Sequence, residues 1–262
     1  MLKVTKLWHA PEKKCILEDA GLLDIGALSR REFDWFEAPN LRRGGWSGVS
    51  KIVLNPDAAE ESDKAVFLKI QKNHFYRAPD TCFLKRLTFE REFSAMMTLR
   101  DACAAIPKVL LFAKWQECGD QYSVLVTESL EDWWPLGPWL KGELPEPPPD
   151  EATLNKALEA IAATACKIHQ AGWLHMCYSA KHLFVRKQDN GEFDVRVVDL
   201  EKTRKRLGLG RRTVKDCSHF MRHTPKLGHA EKNHFLKSYF QTEHFNTKQR
   251  KLIHKMRGGP GI

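Results

Sequence analysis

No stretch of the chain approaches the about 18 consecutive apolar residues that a membrane-spanning helix needs, and the opening MLKVTKLWHAPEKKC has no apolar run of the secretory type. The expectation is a cytosolic protein. Cysteine occurs seven times but never as C-x-x-C, which leaves no disulfide framework and no zinc-knuckle spacing. Internal repeats are absent, as are a basic recognition helix and an aromatic stacking motif, so nucleic acid is not an expected partner.

What is present is enough apolar material, 42% of 262 residues, for one large domain or two small lobes around a cleft. Lys and Arg outnumber Asp and Glu 42 to 33, a net charge of +9 that calls for an anionic partner such as a nucleotide, a phosphorylated sugar or an acidic lipid surface.

Residues 172–201, GWLHMCYSAKHLFVRKQDNGEFDVRVVDLE, carry the most information. The strand-like run RVVDLE ends in an acid, and an acid at the end of a buried strand needs a cation, which makes Asp199 a candidate metal ligand. Upstream, residues 1–40 read as short strands or turns. LRRGGWSGVSKIVL over 41–54 predicts a hairpin with a glycine-rich tip, followed by a polar turn over 55–63. AVFLKI is then a strand whose interior charge, Lys69, points either to solvent from an edge or into a cleft. Apolar residues at 89, 93, 96, 97 and 99 predict an amphipathic helix over 81–101, with Glu90 and Glu92 on different faces. KVLLFAKW and QYSVLVT are two further strands joined by ECGD. The Trp- and Pro-rich segment 128–149 reads as a spacer between lobes, and an alanine-rich helix is predicted over 151–170. Beyond Glu201, KTRKRLGLGRRTVK reads as an exposed basic loop. Short helices follow at about 215–222, 229–240 and 248–256.

In order, the chain supplies a glycine-rich hairpin, a strand lysine, a helix glutamate, a spacer, a helix, a loop opened by histidine and a strand-end aspartate. That order resembles the protein-kinase fold. The resemblance implies an α+β, two-lobed protein-kinase-like fold, with residues 1–128 a β-rich N-lobe that cradles nucleotide and 129–262 a small helical C-lobe with the catalytic loop and metal site. Gly44, Gly45, Ser47 and Gly48 would bring backbone N–H groups to phosphate oxygens, Lys69 a cation to the inner phosphates, and Glu92, beside the buried stripe of its helix, would hold that lysine. Asp199 would chelate magnesium, and backbone over 126–130, including Glu128, would meet adenine.

More narrowly, HMCYSAKHLFV followed by VRVVDLEKTR resembles the lipopolysaccharide-kinase (Kdo/WaaP) group, most closely its InaA-type branch, over residues 40–222. This implies a bacterial cytoplasmic protein, peripheral at the inner membrane where its basic segment meets lipid. ATP and Mg2+ would be its cofactors, and a lipopolysaccharide-precursor sugar or another anionic sugar its acceptor. The chain departs from the kinase pattern in one place. With His175, Met176 and Cys177 on the H-R-D triplet, cysteine stands where the catalytic aspartate belongs, and His182 stands where a metal-binding asparagine belongs. A thiol with an ordinary pKa near 8.5 is a weak base at neutral pH. Two readings stay open: an active phosphotransferase with His175, Cys177 and Asp199 at its catalytic centre and His182 as a second metal ligand, or a pseudokinase acting as a nucleotide-responsive or structural interaction module. A membrane-surface adaptor without nucleotide is a third. His182 reads equally well as a structural histidine. Lys202, Arg204, Lys205, Arg206, Arg211 and Arg212 either grip an anionic acceptor or form a solvated face. Cys217, His219 and His223 lack a second half-site and read as a packed helix rather than a zinc site.

Overall fold

The computed structural model describes residues 1–42, 44–55, 58, 64–77, 84–103 and 105–260. The chain divides into two compact units, one of residues 1–97 and 107–130, the other of residues 98–106 and 131–262.

The first unit is built on a six-stranded antiparallel sheet. Its strands are β1 (Lys3–His9), β2 (Asn40–Arg42), β3 (Gly45–Val53), β4 (Ala65–Lys72), β7 (Val109–Glu117) and β8 (Asp120–Glu128), in the spatial order β1-β7-β8-β4-β3-β2. Two short strands, β5 (Phe75–Tyr76) and β6 (Arg86–Leu87), pair apart from it. Alternation along β4 decides the two faces. Val66, Leu68 and Ile70 join a core with Leu111, Ala113, Val124 and Val126, whereas Lys69 and Gln71 point to the opposite side.

This core is closed by two short helices, α1 (Lys14–Asp19) and α2 (Ile25–Arg30), through Leu17, Ile25 and Leu28, with Leu22 from the turn between them. The expected strands and turns of residues 1–40 are therefore mainly one strand, a 3-10 turn over Pro11–Lys13 and two α-helices. Each helix has six residues, too few to show a 3.6-residue period, and the second starts at Asp24, whose Oδ1 accepts from the Ala27 amide at 3.0 Å. Helix α3 (Thr88–Ala102) begins later than its apolar pattern suggested, because β6 occupies the residues just before it. Thr81, Cys82 and Phe83 of the expected helix, Arg43 of the hairpin tip, and residues 56–57 and 59–63 of the polar turn lie outside the described residues. On this face Phe93 stacks on Phe112 with centroids 4.4 Å apart.

In the second unit, α5 (Glu151–Gln170) is the buried axis, with Leu154, Leu158, Ile161, Ala165 and Ile168 out of water and Asp150 capping its first turn. The Trp- and Pro-rich segment is more than a spacer. It holds β9 (Trp134–Pro135) and α4 (Leu136–Lys141), and Trp139 is buried and donates from Nε1 to the Pro147 carbonyl at 3.0 Å, which ties the proline run down. Strands β11 (Leu183–Lys187) and β12 (Phe193–Val197) form a hairpin beside β9, and β10 (Trp173–Leu174) pairs with β13 (Arg204–Lys205). Helices α6 (Leu209–His223), α7 (His229–Phe240) and α8 (Thr247–Ile253) complete the unit. The basic segment expected as a loop is thus part strand and, from Leu209 onward, the first turns of α6. Among the described residues no helix is long and apolar enough to cross a membrane.

Candidate functional site

In the first unit, Lys69 Nζ donates to Glu92 Oε1 at 2.6 Å. The lysine side chain is 21% exposed and the carboxylate 2%, so the pair stands at the edge of water with its negative end inside. Glu90, the alternative partner, turns instead to Lys114 at 3.2 Å and Arg86 at 3.9 Å. Spacing explains the choice. Ala95, Met96 and Leu99 follow Glu92 by three, four and seven positions and are buried, so Glu92 lies on the packed face of α3 and Glu90 beside it.

The glycines have reasons of their own. Gly44 sits in the turn with φ +78°, a left-handed conformation that favours glycine. A Cβ at Gly45 would stand 2.4 Å from the Lys72 carbonyl oxygen, and one at Gly48 would stand 2.3 Å from the Trp35 ring. These two glycines are required by a close backbone approach and by a tryptophan packed on the strand. Phosphate proximity is not needed to account for them. Ser47, between them, is half-buried on β3.

Glu128 is engaged in a way that the adenine assignment did not anticipate. Its amide donates to the Lys108 carbonyl at 3.0 Å and its Oε1 accepts from the Lys108 amide at 2.8 Å. It closes the end of the β7–β8 pair, and its amide is therefore already occupied.

In the second unit, His175 is 1% exposed. Its Nε2 donates to the Val198 carbonyl at 3.1 Å, and its Nδ1 accepts from the Cys177 amide at 3.3 Å. With these contacts both ring nitrogens meet backbone and the ring shapes the loop. The same loop is held by a residue that the sequence reading missed. Asp216 on α6 is wholly buried; its Oδ2 accepts from the His175 amide at 2.7 Å and faces His169 Nε2 at 3.0 Å, and its Oδ1 accepts from the Met176 amide at 2.8 Å. The anchored turn carries Met176 at φ 75°, an uncommon conformation for a side chain of that size. No local signal marks Asp216, because its partners lie about 40 residues away in sequence.

Cys177 is half-buried, and burial pushes its thiol above the ordinary value. Lys202 works in the opposite direction through its charge and a hydrogen bond, while Asp199 and Asp216 add to the rise. At neutral pH the group is a thiol. Asp199 stands two residues beyond the end of β12, at φ 60° and ψ 63°, so the acid lies in a left-handed turn rather than in the strand. Its Oδ2 is 3.5 Å from His182 Nδ1, and the Val198 amide donates to the His182 carbonyl at 3.0 Å.

Among the described residues no cluster of three or more His, Cys, Asp or Glu could hold a metal alone. One carboxylate still fits magnesium, which binds through one or two carboxylates and completes its shell with water and phosphate oxygens. The imidazole of His182 is a poor ligand for so hard a cation and stands beside Asp199 instead. Cys217 is wholly buried within α6, which accords with packing. His219 Nδ1 meets the Tyr178 carbonyl at 3.2 Å, and burial lowers its pKa.

The basic segment separates into two kinds of residue. Arg204, Lys205, Arg206 and Arg211 lie toward solvent, with Leu207 among them at 95% exposure. Arg212 is 8% exposed and donates to the Arg206 carbonyl, so it fastens the segment instead of meeting a ligand.

The family described as lipopolysaccharide kinase (Kdo/WaaP) matches residues 27–239. Protein InaA of Escherichia coli (strain K12) is 30% identical over 176 residues, which is 67% of this chain and 76% of that protein. Among solved structures, WaaP in complex with acyl carrier protein shares the fold, with a TM-score of 0.63 at 18% identity over 95% of this chain and 92% of that one.

Proposed function

Because the chain belongs to the lipopolysaccharide kinase (Kdo/WaaP) family, we propose that it is a two-lobed kinase-like phosphotransferase, with residues 1–128 cradling ATP and 129–262 supplying the metal ligand and catalytic loop. The acceptor is a sugar of the lipopolysaccharide core or another small anionic molecule. The observation that carries this reading is the Lys69–Glu92 pair at 2.6 Å, because a buried carboxylate that fixes one strand lysine is what a cation aimed at inner phosphates requires.

In this reading Lys69 would bind the inner phosphates, the hairpin tip at Gly44 to Ser47 would cover them with backbone amides, and Asp199, beside His182, would hold magnesium. Magnesium, when bound, neutralises charge on the phosphates. The acceptor hydroxyl oxygen bonds to the terminal phosphorus as the bond to the bridging oxygen breaks, and its proton leaves to solvent, since Cys177 is a poor acceptor. Phosphoryl transfer has a loose transition state, so positioning and charge supply most of the rate. Arg204, Lys205, Arg206 and Arg211 meet the anionic acceptor. The exposed Leu207 among them suits an acceptor presented at the cytoplasmic face of a membrane.

A second reading is favoured by Cys177 itself: a pseudokinase that binds nucleotide and signals or scaffolds without transfer. Titration calorimetry of ATP with and without magnesium, followed by a turnover assay with core sugars, separates them. Magnesium-dependent binding with phosphorylated product supports the kinase; binding without product supports the pseudokinase; no binding overturns both.

A further inference from the structure

Two residues along β4 from Lys69, on the same face, Gln71 lies wholly out of water. One turn before Glu92 on α3, Thr88 is 3% exposed, and Ser123 on β8 is fully buried. The Gln71 amide oxygen meets donors, and its nitrogen an acceptor, when the oxygen faces the helix. That oxygen then accepts from the Phe89 amide at 3.1 Å, the Thr88 amide at 3.2 Å and the Ser123 hydroxyl at 2.6 Å, while the amide nitrogen donates to Thr88 Oγ1. Thr88 Oγ1 in turn lies 2.9 Å from His74 Nδ1.

The first N–H groups of a helix have no partner within it. Leu87, which precedes α3, has no side-chain acceptor to offer. We propose that Gln71 is a positioning residue, a strand side chain that caps the first turn of α3 and so fixes the rotation at which Glu92 meets Lys69.

The physical case rests on direction. Apolar packing such as Phe93 on Phe112 holds α3 to the sheet but tolerates small rotation and sliding, because it depends on area rather than angle. A turn of the helix by a few tens of degrees would carry the Glu92 carboxylate off the lysine. The bond from the Phe89 amide to that oxygen, beside a Thr88 amide shared with the His74 carbonyl at 3.0 Å, tolerates no such turn. A buried polar cluster stabilises through its paired groups, and the Gln71 oxygen finds its donors with α3 placed where Glu92 also meets Lys69. The pair thus stands assembled in the chain alone. The importance of this for catalysis rests on the nucleotide reading above; the cap itself does not.

The test is acetylation of Lys69 by an N-hydroxysuccinimide ester in the folded chain at neutral pH, followed by peptide mass spectrometry and normalised to the exposed Lys187. Gln71→Leu should raise Lys69 labelling selectively, by about fivefold, the factor that corresponds to the about 1 kcal/mol of a lost helix cap. Glu92→Gln marks the upper limit, and Ser123→Ala, a milder change that also serves if Gln71→Leu does not fold, should raise labelling less. Unchanged Lys69 labelling in these folded variants, or an equal rise at all lysines, overturns the proposal. Nucleotide is absent from this readout, so selective labelling in a chain that binds no ATP would sink the kinase reading and keep the cap. If wild type does bind Mg·ATP, Gln71→Leu should weaken it by a similar factor, and unchanged affinity would overturn the coupling to function.

Discussion

Lys69 and Glu92 form an ion pair with unequal ends, the amine keeping 21% of its exposure and the carboxylate 2%. The inequality predicts different costs for removing each partner. Lys69→Met leaves a buried carboxylate without its lysine, an effect toward the lower end of about 3–5 kcal/mol, since the pair stands near water. Glu92→Gln leaves an amine that can turn to solvent and should destabilise less. Urea unfolding of the two variants checks the order, and equal midpoints would contradict the burial argument. Both variants should weaken Mg·ATP.

Asp216 predicts a structural defect confined to the loop that carries His175 and Met176. Asp216→Ala removes the acceptor for the His175 and Met176 amides and for His169 in a site with no water access, at about 3 kcal/mol or more. Asp216→Asn keeps one oxygen for the amides, and His169 can change tautomer and accept from the new NH2 group, so its loss should be smaller. Thermal unfolding orders them wild type, Asn, Ala. Matching Asn and Ala variants would mean that the loop does not depend on this acceptor.

The difference between Glu92 and Asp216 shows which parts of the site were legible in the sequence. Glu92 could be chosen over Glu90 because the apolar residues three, four and seven positions on define its face within one helix. The β4 alternation and the boundaries of α5 were legible for the same reason, as periodic patterns within one element. Asp216, Gln71 and the occupied amide of Glu128 are features of long-range contact, and nothing near them in sequence announces a partner. The glycines have a packing reason that the sequence does not announce. GGWSGVS looks like a phosphate cradle, yet Gly45 and Gly48 make room for a neighbouring carbonyl and for Trp35. Helices α1 and α2 were too short for their period to appear, and Asp199 lies in a turn that a reading of apolar runs extends as strand.

The basic segment predicts a salt-dependent association. Replacing Arg204, Lys205, Arg206 and Arg211 together by Ser should weaken binding to vesicles containing anionic lipid by up to about fivefold per residue at low salt, and flatten its salt dependence. Arg212 is excluded because its burial and its bond to the Arg206 carbonyl make it a fastening of the segment. Leu207→Ser should lower whatever binding survives at high salt, where charge is screened and apolar contact remains. Sedimentation with vesicles reads both effects, and indifference of the fourfold variant at low salt would remove the membrane-facing part of the proposal.

In the proposed reading Cys177 and Asp199 govern phosphate transfer, and their environments predict opposite sensitivities. Burial raises the Cys177 thiol, so its thiolate fraction at neutral pH is below that of an ordinary cysteine, and a serine in its place removes little basicity. A kinase that works by positioning therefore keeps most activity in Cys177→Ser and loses it in Asp199→Ala, where no other carboxylate replaces the metal anchor. Thiolate catalysis has the reverse signature. It requires Cys177→Ser to collapse the rate and wild-type activity to climb as pH rises toward the elevated thiol pKa, because the active form is the deprotonated one. A pseudokinase gives no product from any of these, and Cys177→Asp then gains turnover if the remaining geometry is competent. Product formation by wild type, Cys177→Ser, Cys177→Asp and Asp199→Ala across pH distinguishes all three, and equal rates for wild type and Asp199→Ala would defeat the metal-dependent kinase.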